Sequence, residues 1–281
     1  MKLVRYGTPG AEKPGLIDAD GALRDLSTHV ADINGEVLAA QMETLKSINP
    51  GTLPVVDGNP RLGPCVGDIG KLMCIGLNYS DHAIEMNLPF PEHPILFMKA
   101  NSAIVGPNDD VMMPRGSSKT DWEVELGVVI GKRCKYISED DVLDHVAGFC
   151  IVNDVSERTF QIELSGQWTK GKSCDTFGPV GPWMVTTDEI EDVQKLDMYL
   201  DVNGERMQTG NTATMIFNVR QIVSHLSQLM TLEPGDVIST GTPPGVGGGK
   251  KPDPIFLKVG DVMELGIEGL GTQRQTVGMD A

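Results

Sequence analysis

Apolar and polar side chains alternate along residues 121–131, whose sequence is DWEVELGVVIG. Glu123 and Glu125 are the polar members of this alternation, and Val124 and Leu126 are apolar members. A period of two predicts a half-buried β-strand with both carboxylates on one face. Two like charges on one strand face repel each other, and partial burial strengthens the repulsion. The pattern therefore indicates either an ordinary solvated strand face or a site that holds a cation.

A second acidic segment follows within about thirty residues. Residues 148–161, GFCIVNDVSERTFQ, begin as an apolar strand that leads to Asp154. Together with Glu123 and Glu125, this residue gives three carboxylates on two strand segments. An all-oxygen ligand set suits Mg²⁺ or Mn²⁺ better than zinc. The three acids are therefore the candidate ligands of one divalent cation.

The remaining pattern predicts many short strands. Strands at 1–6 and 14–18 precede a hairpin turn at Asp20-Gly21, and a weakly amphipathic helix is expected at 36–47. A connector rich in proline and glycine ends near Gly70. We therefore predict a small N-terminal domain at 1–70 and a larger domain at 71–281.

In the larger domain strands outnumber helices, and the alternation of strand and helix that marks a doubly wound sheet is missing. An Asn-Gly turn at 203–204 predicts a hairpin over 196–208, and the longest helix is expected at 217–230. The sequence thus predicts a mixed α+β fold that is mainly β. Its other expected elements are helices at 80–86, 138–145 and 158–165, strands at 72–79, 95–99, 103–105 and 148–153, a polar loop at 106–119, and further strands to 267.

Composition narrows the choice of ligands and compartment. The chain of 281 residues has 23 basic and 39 acidic side chains, a net charge of −16. Such a surface repels nucleic-acid phosphates and anionic lipids, so an anionic substrate needs local compensation by a metal or by a few lysines. The five cysteines are odd in number and form no C-x-x-C motif, which indicates free thiols in a reducing compartment. Without an N-terminal signal-peptide core or an apolar run of membrane length, we expect a cytoplasmic protein.

His82 and Glu85 stand three residues apart in a predicted helix capped by Ser80 or Asp81. At this spacing two side chains share one helix face and can touch. A histidine held by a carboxylate is a general base that can activate water near neutral pH. The alternative is an ordinary surface pair.

Several further residues are candidates for substrate contact. Lys172, within TKGKSCDTFGP, could neutralise an enolate or a carboxylate, although a loop lysine is more often solvated. Arg158 and Gln161 follow Asp154 closely enough to reach the same site, and Lys99 ends a predicted strand.

The segment 240–250, TGTPPGVGGGK, is rich in glycine and proline. It does not match a phosphate-binding loop, because Lys251 stands where that motif requires Ser or Thr. We expect a rigid loop that presents backbone N–H groups and the Thr242 hydroxyl to a ligand.

Seven segments of the larger domain form a specific series when they are taken together. In chain order they are GLNYSDHAIE, FMKANSAIVGPND, DWEVELGVVIG, NDVSERTFQ, KGKSCDTFGPVGPW, VNGERMQTGNTATMIF and STGTPPGVGGG. Through them the chain resembles the fumarylacetoacetate hydrolase family over essentially all of residues 71–281. The resemblance implies a β-rich roll, a mixed sandwich-like barrel usually assembled as a homodimer, with the smaller N-terminal extension found in many bacterial members. Asp121 and Trp122 stand where some members have a histidine, a variant that leaves the three acids intact.

The resemblance also implies roles for individual residues. It places Mg²⁺ or Mn²⁺ on the three acids, one cation per subunit, and a catalytic His82–Glu85 dyad on a closing lid helix. Lys172 is the lysine that approaches the substrate. Substrate contacts are assigned to Tyr79, Lys99, Arg158, Gln161 and Thr242.

The implied activity is hydrolysis of a carbon–carbon bond in a 2,4-diketo acid of the acylpyruvate type, giving pyruvate and a carboxylic acid. The polar, glycine-rich surroundings favour a sugar-derived substrate, a 2,4-diketo-3-deoxy acid such as diketo-deoxyrhamnonate or -fuconate. The same site could instead decarboxylate oxaloacetate or run keto–enol isomerisation. A different class of function is a non-catalytic protein of the same fold that binds a metal or ligand.

Overall fold

The computed structural model describes residues 1–280, and seventeen strands form most of its regular structure. Five α-helices are short except for the last. The strands are β1 Lys2–Tyr6, β2 Lys13–Ile17, β3 Leu23–Asp25, β4 Leu72–Gly76, β5 Ile95–Lys99, β6 Ile104–Val105, β7 Val111–Met113, β8 Thr120–Asp121, β9 Val124–Ile130, β10 Val146–Asn153, β11 Ser156–Glu157, β12 Gly178–Thr186, β13 Asp197–Val202, β14 Glu205–Asn211, β15 Val237–Ser239, β16 Val262–Ile267 and β17 Gly271–Met279. The helices are α1 Gly35–Ala40, α2 Met42–Ser47, α3 Ser80–Glu85, α4 Thr169–Lys172 and α5 Val219–Leu229.

Two sheets carry the fold. The larger one runs β3-β2-β1-β12-β10-β9-β15-β4-β5, with β6 beside β12, and the smaller one runs β14-β13-β16-β17-β7. β8 and β11 form a separate antiparallel pair. This architecture confirms the prediction of a mixed, mainly β fold.

The central strand β9 is buried on both faces, so the prediction of a half-buried strand was wrong. Its alternate residues Leu126 and Val128 pack in one hydrophobic cluster. Val129, on the opposite face, packs in a second cluster that includes Leu3 and Leu38 of the N-terminal segment. Val129 is thus covered by a distant part of the chain, which alternation along one strand cannot reveal.

The first strands of the chain extend the larger sheet. β1 pairs with β12, with Lys2 opposite Val185 and Leu3 opposite Met184. Residues before and after position 70 therefore share one sheet and one hydrophobic cluster. The division into domains at 1–70 and 71–281 remains a prediction.

The helices were predicted less well than the strands. The helix expected at 36–47 is two helices, because Gln41 leaves helical geometry between them, with φ −125° and ψ 4°. The helix expected at 138–145 is a single 3₁₀ turn at Val142–Asp144, and the Ser138 hydroxyl donates to the Asp141 side chain. The polar loop at 106–119 contains β7, which pairs with the unpredicted β17.

Candidate metal centre and active site

The β9–β10 register brings the three acids together. The two strands are antiparallel with Glu125 opposite Val152, and the Asp154 backbone N–H donates to the Glu123 carbonyl at 2.9 Å. Ligand oxygens of Glu123, Glu125 and Asp154 lie within 4.8 Å of one another, and all three residues are buried.

Positively charged side chains surround this cluster, and the two lysines among them are buried. The Lys172 Nζ atom lies 2.6 Å from Glu123 Oε2 and 2.7 Å from Asp154 Oδ2. Arg158 Nη2 lies 2.7 Å from Glu123 Oε1. Lys99 donates to the other oxygen of Asp154, Oδ1, and also to the Val155 carbonyl at 3.0 Å.

Glu125 is bound differently from the other two acids. Its Oε2 atom accepts hydrogen bonds from the Ser239 hydroxyl at 2.6 Å and from the Gly241 N–H at 2.8 Å, both neutral donors. Burial, followed by the negative charges of Asp154 and Glu123, holds the pKa of Glu125 well above its usual value. This carboxyl group is therefore disposed to carry a proton in the metal-free protein.

Glu123 titrates in the opposite direction. Burial alone would raise its pKa, but the neighbouring charges of Lys172 and Arg158 outweigh burial and lower the pKa to about 2. The cluster thus holds one strongly ionised acid, Glu123, beside one that is disposed to carry a proton, Glu125. Three buried carboxylates at this spacing fit an oxygen-liganded divalent cation, which would supply the missing positive charge.

The His82–Glu85 contact has the predicted geometry. In α3, His82 Nδ1 lies 2.9 Å from Glu85 Oε2. The Gly245 N–H donates to Glu85 Oε1 at 3.0 Å, so the carboxylate is fixed from the opposite side. Burial would raise the pKa of Glu85, but these hydrogen bonds outweigh it and lower the pKa below its usual range. Glu85 is therefore a carboxylate that orients His82.

The glycine-rich loop binds the site's own carboxylates, which corrects the prediction that it presents its N–H groups to a ligand. Besides Gly245, Gly247 and Gly248 donate to the two oxygens of Asp121 at 2.6 and 2.9 Å. The Thr242 hydroxyl donates to the Val124 carbonyl at 2.9 Å and is occupied in the same way. Thr242 lines the pocket, but this hydroxyl is not free for a ligand.

One cavity of about 590 Å³ joins the acid cluster to the dyad. The predicted site residues in its wall are His82, Glu123, Glu125, Asp154, Arg158, Gln161, Lys172 and Thr242. Glu85 holds His82 without lining the cavity itself.

Tyr79 and Lys99 do not line this cavity, contrary to their assignment as substrate contacts. Tyr79 is fully buried, with its hydroxyl 3.2 Å from the Met198 sulfur. Lys99 lies behind Asp154 and is buried. Gln161 does line the cavity, and its side-chain oxygen accepts from Arg158 at 3.0 Å.

Asp121 is a residue whose part in the site the sequence did not indicate. It is fully buried and contacts Arg158, whose Nε donates to Oδ2 at 2.8 Å. Arg158 bridges Asp121 to Glu123, so this acid ties the glycine-rich loop to a candidate metal ligand. Its place two residues before Glu123 was a signal that the sequence offered.

The class of protein follows from this geometry: a β-rich protein in which a buried cluster of three carboxylates that fits a divalent cation shares a cavity with a histidine–carboxylate pair. The chain belongs to the fumarylacetoacetate hydrolase family, because the family described as Fumarylacetoacetate (FAA) hydrolase C-terminal matches residues 71–278. A Burkholderia cenocepacia protein, provisionally named as a hydrolase, is 60% identical over 277 residues, which are 98% of each chain.

Two solved structures of the same fold have different activities. The 2-hydroxyhepta-2,4-diene-1,7-dioate isomerase from Mycobacterium marinum is 34% identical, with a TM-score of 0.74 and coverage of 100% of this chain and 99% of that one. The maleylpyruvate hydrolase from Sphingobium sp. SYK-6, determined with manganese(II) and pyruvate, is 27% identical, with a TM-score of 0.83 and full coverage of both chains. Both hydrolases and isomerases therefore resemble this chain over its length.

Across residues 1–280, none of the helices combines the length and the apolar character needed to cross a membrane.

Proposed function

We propose that this protein is a divalent-metal-dependent hydrolase that cleaves the carbon–carbon bond of a 2,4-diketo acid, releasing pyruvate and a carboxylic acid. One observation carries the proposal: the His82–Glu85 pair and the three-acid cluster line or support the same cavity. A metal centre alone would serve a binding protein. An oriented base that faces the centre is needed only for chemistry.

Glu123, Glu125 and Asp154 would hold Mg²⁺ or Mn²⁺, one cation per subunit. When bound, the cation supplies a Lewis acid for the C1 carboxylate, the C2 ketone and the enolate that forms on cleavage. The manganese and pyruvate in the Sphingobium hydrolase support this choice of cofactor and product class.

The dyad would activate the attacking water. With its Nδ1–H donated to Glu85, His82 keeps the Nε2 lone pair free to accept a proton from water. The resulting hydroxide attacks the C4 carbonyl, and the C3–C4 bond breaks to give the carboxylic acid and the enolate of pyruvate. Protonation of the enolate at C3 completes the balance and gives pyruvate.

Lys172 would stabilise the negative charge that develops on the enolate. Burial alone would lower its pKa, but Asp154 and Glu123 outweigh burial and hold the pKa above its usual value. The ammonium group therefore stays charged in an enclosed site, where electrostatic stabilisation is strong. Together with the cation, it solves the problem of binding an anion to a protein of net charge −16.

The test is pyruvate release from a panel of 2,4-diketo acids with Mg²⁺, with Mn²⁺ and with EDTA. Metal-dependent pyruvate release supports the proposal. Oxaloacetate is tested separately. If it is consumed while no 2,4-diketo acid releases pyruvate, the protein is a decarboxylase instead. If no substrate is turned over although the protein still binds Mn²⁺, the protein is a non-catalytic ligand-binding protein.

A second candidate is isomerisation of an unsaturated keto acid at the same site. The similarity to the Mycobacterium marinum isomerase favours it. This reaction needs proton transfer but no water attack, so it is recognised by a change in ultraviolet absorbance without pyruvate release.

We also propose that the chain forms a homodimer and acts in the cytoplasm. Large apolar side chains on its surface, among them Leu229, Ile255 and Val259, are about half exposed, and association would cover some of this area. Sedimentation equilibrium distinguishes one chain mass from two.

A further inference from the structure

We propose that the acyl group of the substrate is apolar, a medium-length aliphatic chain or an aryl ring. This inference rests on the proposed function and concerns the part of the substrate beyond C4. It departs from the sugar-derived acid favoured by the sequence, because the surroundings of the site are not mainly polar. About half of the residues that line the cavity are apolar.

The apolar wall begins directly beside the charged centre. The Lys172 Nζ atom lies 5.1 Å from the centroid of the Phe97 ring, and Phe97 packs edge-on against Trp168 at 5.4 Å between ring centroids. Both rings line the cavity. A substrate whose carboxylate lies at the acid cluster would therefore extend its far end along aromatic surface.

Gly76 makes room for this surface. A Cβ atom at residue 76 would lie 2.1 Å from Trp168 Cζ3, so the indole can approach the end of β4 only because no side chain is there. This close approach to Gly76 holds the Trp168 indole in the cavity wall.

The wall continues to the mouth of the cavity along the segment after α3. Leu88 and Phe90 line the cavity and are 48% and 53% exposed, and Ile162 lines it with 60% exposure. Large apolar side chains gathered at the mouth of a pocket mark a surface that a ligand covers. An apolar acyl group would bury them, whereas a polyhydroxylated chain would lose its hydration against them.

The charged groups of the wall are already paired. Lys119 forms an ion pair with Glu163, while Arg158 and Lys172 bind the buried acids described above. Lys119 is the cation of the outer wall that a second carboxylate on the substrate could meet. Its charge is already neutralised by Glu163. These contacts disfavour a substrate with a charged far end.

The first test is a series of acylpyruvates with Mn²⁺: acetyl-, butanoyl- and hexanoylpyruvate, a 2,4-diketo-3-deoxy sugar acid, and an acylpyruvate with a terminal carboxylate. Each buried methylene is expected to raise kcat/KM by about fourfold. The hexanoyl compound should exceed both polar compounds of similar length. Turnover of acetylpyruvate with no gain from chain length, or preference for the sugar acid, overturns this inference and leaves the proposed function standing. Absence of pyruvate from every compound overturns both.

The second test assigns the preference to the wall. Leu88→Ser and Phe90→Ser should each lower kcat/KM for hexanoylpyruvate by about four- to tenfold and change that for acetylpyruvate less than twofold. Val55→Ser is the matched control, because Val55 is an apolar surface residue that is 52% exposed and lies outside the cavity. A length preference that survives both wall variants overturns the assignment. A changed oligomer mass with unchanged length preference would show that a second copy covers this surface instead.

Discussion

The Nζ atom of Lys172 lies 2.6 Å from Oε2 of Glu123, and the same atom lies 2.7 Å from Oδ2 of Asp154. An ammonium group thus sits between two of the three candidate metal ligands. Its positive charge favours ionised carboxylates, and it also repels a divalent cation bound to them. Lys172 therefore acts on metal affinity and on catalysis in opposite directions.

Replacing Lys172 by methionine separates these two effects. We expect Lys172→Met to bind Mn²⁺ roughly tenfold more tightly than the wild type, because a like charge a few ångströms away is removed. Its kcat should fall by roughly 10²–10³-fold through loss of charge stabilisation. Calorimetric titration with Mn²⁺ and a pyruvate-release assay measure the two quantities.

Lys170→Met is the matched control for that variant. Lys170 lies on the same short helix but is exposed. The Lys170→Met variant should keep the Mn²⁺ affinity and the kcat of the wild type. A large loss of metal affinity in Lys172→Met would contradict the proposed competition.

Glu125→Gln tests the metal centre. The variant keeps an oxygen that can accept from Ser239 but loses the anionic ligand. Mn²⁺ affinity should fall by more than the roughly 10–100-fold that outer-shell changes cost. Glu163→Gln, at the mouth of the same cavity, should bind Mn²⁺ as the wild type does.

The raised pKa of Glu125 also predicts the pH dependence of stability in metal-free protein. A carboxyl group whose pKa is higher in the folded state binds more protons when folded, so stability falls as pH rises above the unfolded pKa, about 4.5. Glu125→Gln removes this loss. In urea unfolding with EDTA, its stability relative to the wild type should increase with pH above about 4.5, by up to about 1.4 kcal/mol per pH unit. A difference that is constant from pH 4.5 to 8 would show that Glu125 is ionised in the metal-free fold.

His82→Ala and Glu85→Gln test the dyad. Both variants should bind Mn²⁺ and oxalate normally, while kcat falls by roughly 10²–10⁴-fold, the usual contribution of a general base. Calorimetry and pyruvate release report the two properties separately. Turnover that survives in His82→Ala would remove the histidine from the mechanism.

Asp121→Asn tests whether a residue outside the ligand set positions the metal centre. Arg158 bridges Asp121 and Glu123, so the substitution should lower Mn²⁺ affinity by roughly 10–100-fold. Asp109→Asn is a suitable control, since Asp109 forms an ion pair with Arg61 away from the cavity. Equal metal affinity in both variants would limit Asp121 to a role in stability.

Local sequence was a good guide wherever the backbone period alone decides geometry. The i,i+3 spacing placed His82 against Glu85, and the Asn203-Gly204 turn correctly joined β13 to β14. The break at Gln41 and the single turn at 142–144 were missed, because propensity leaves short helix ends undecided.

By itself, the sequence determined the family, the mainly β fold and most of the charged residues that meet at the site. Only the tertiary structure decided what surrounds those residues. Val129, on the acidic face of β9, packs in one cluster with Leu3 and Leu38 of the N-terminal segment, and Lys99 reaches Asp154 from 55 residues away. Likewise, the backbone N–H groups of Gly247 and Gly248 donate to Asp121 from 126 and 127 residues away along the chain. Periodicity is a property of neighbouring residues, whereas burial, ion pairing and the resulting pKa values depend on which distant segments come into contact.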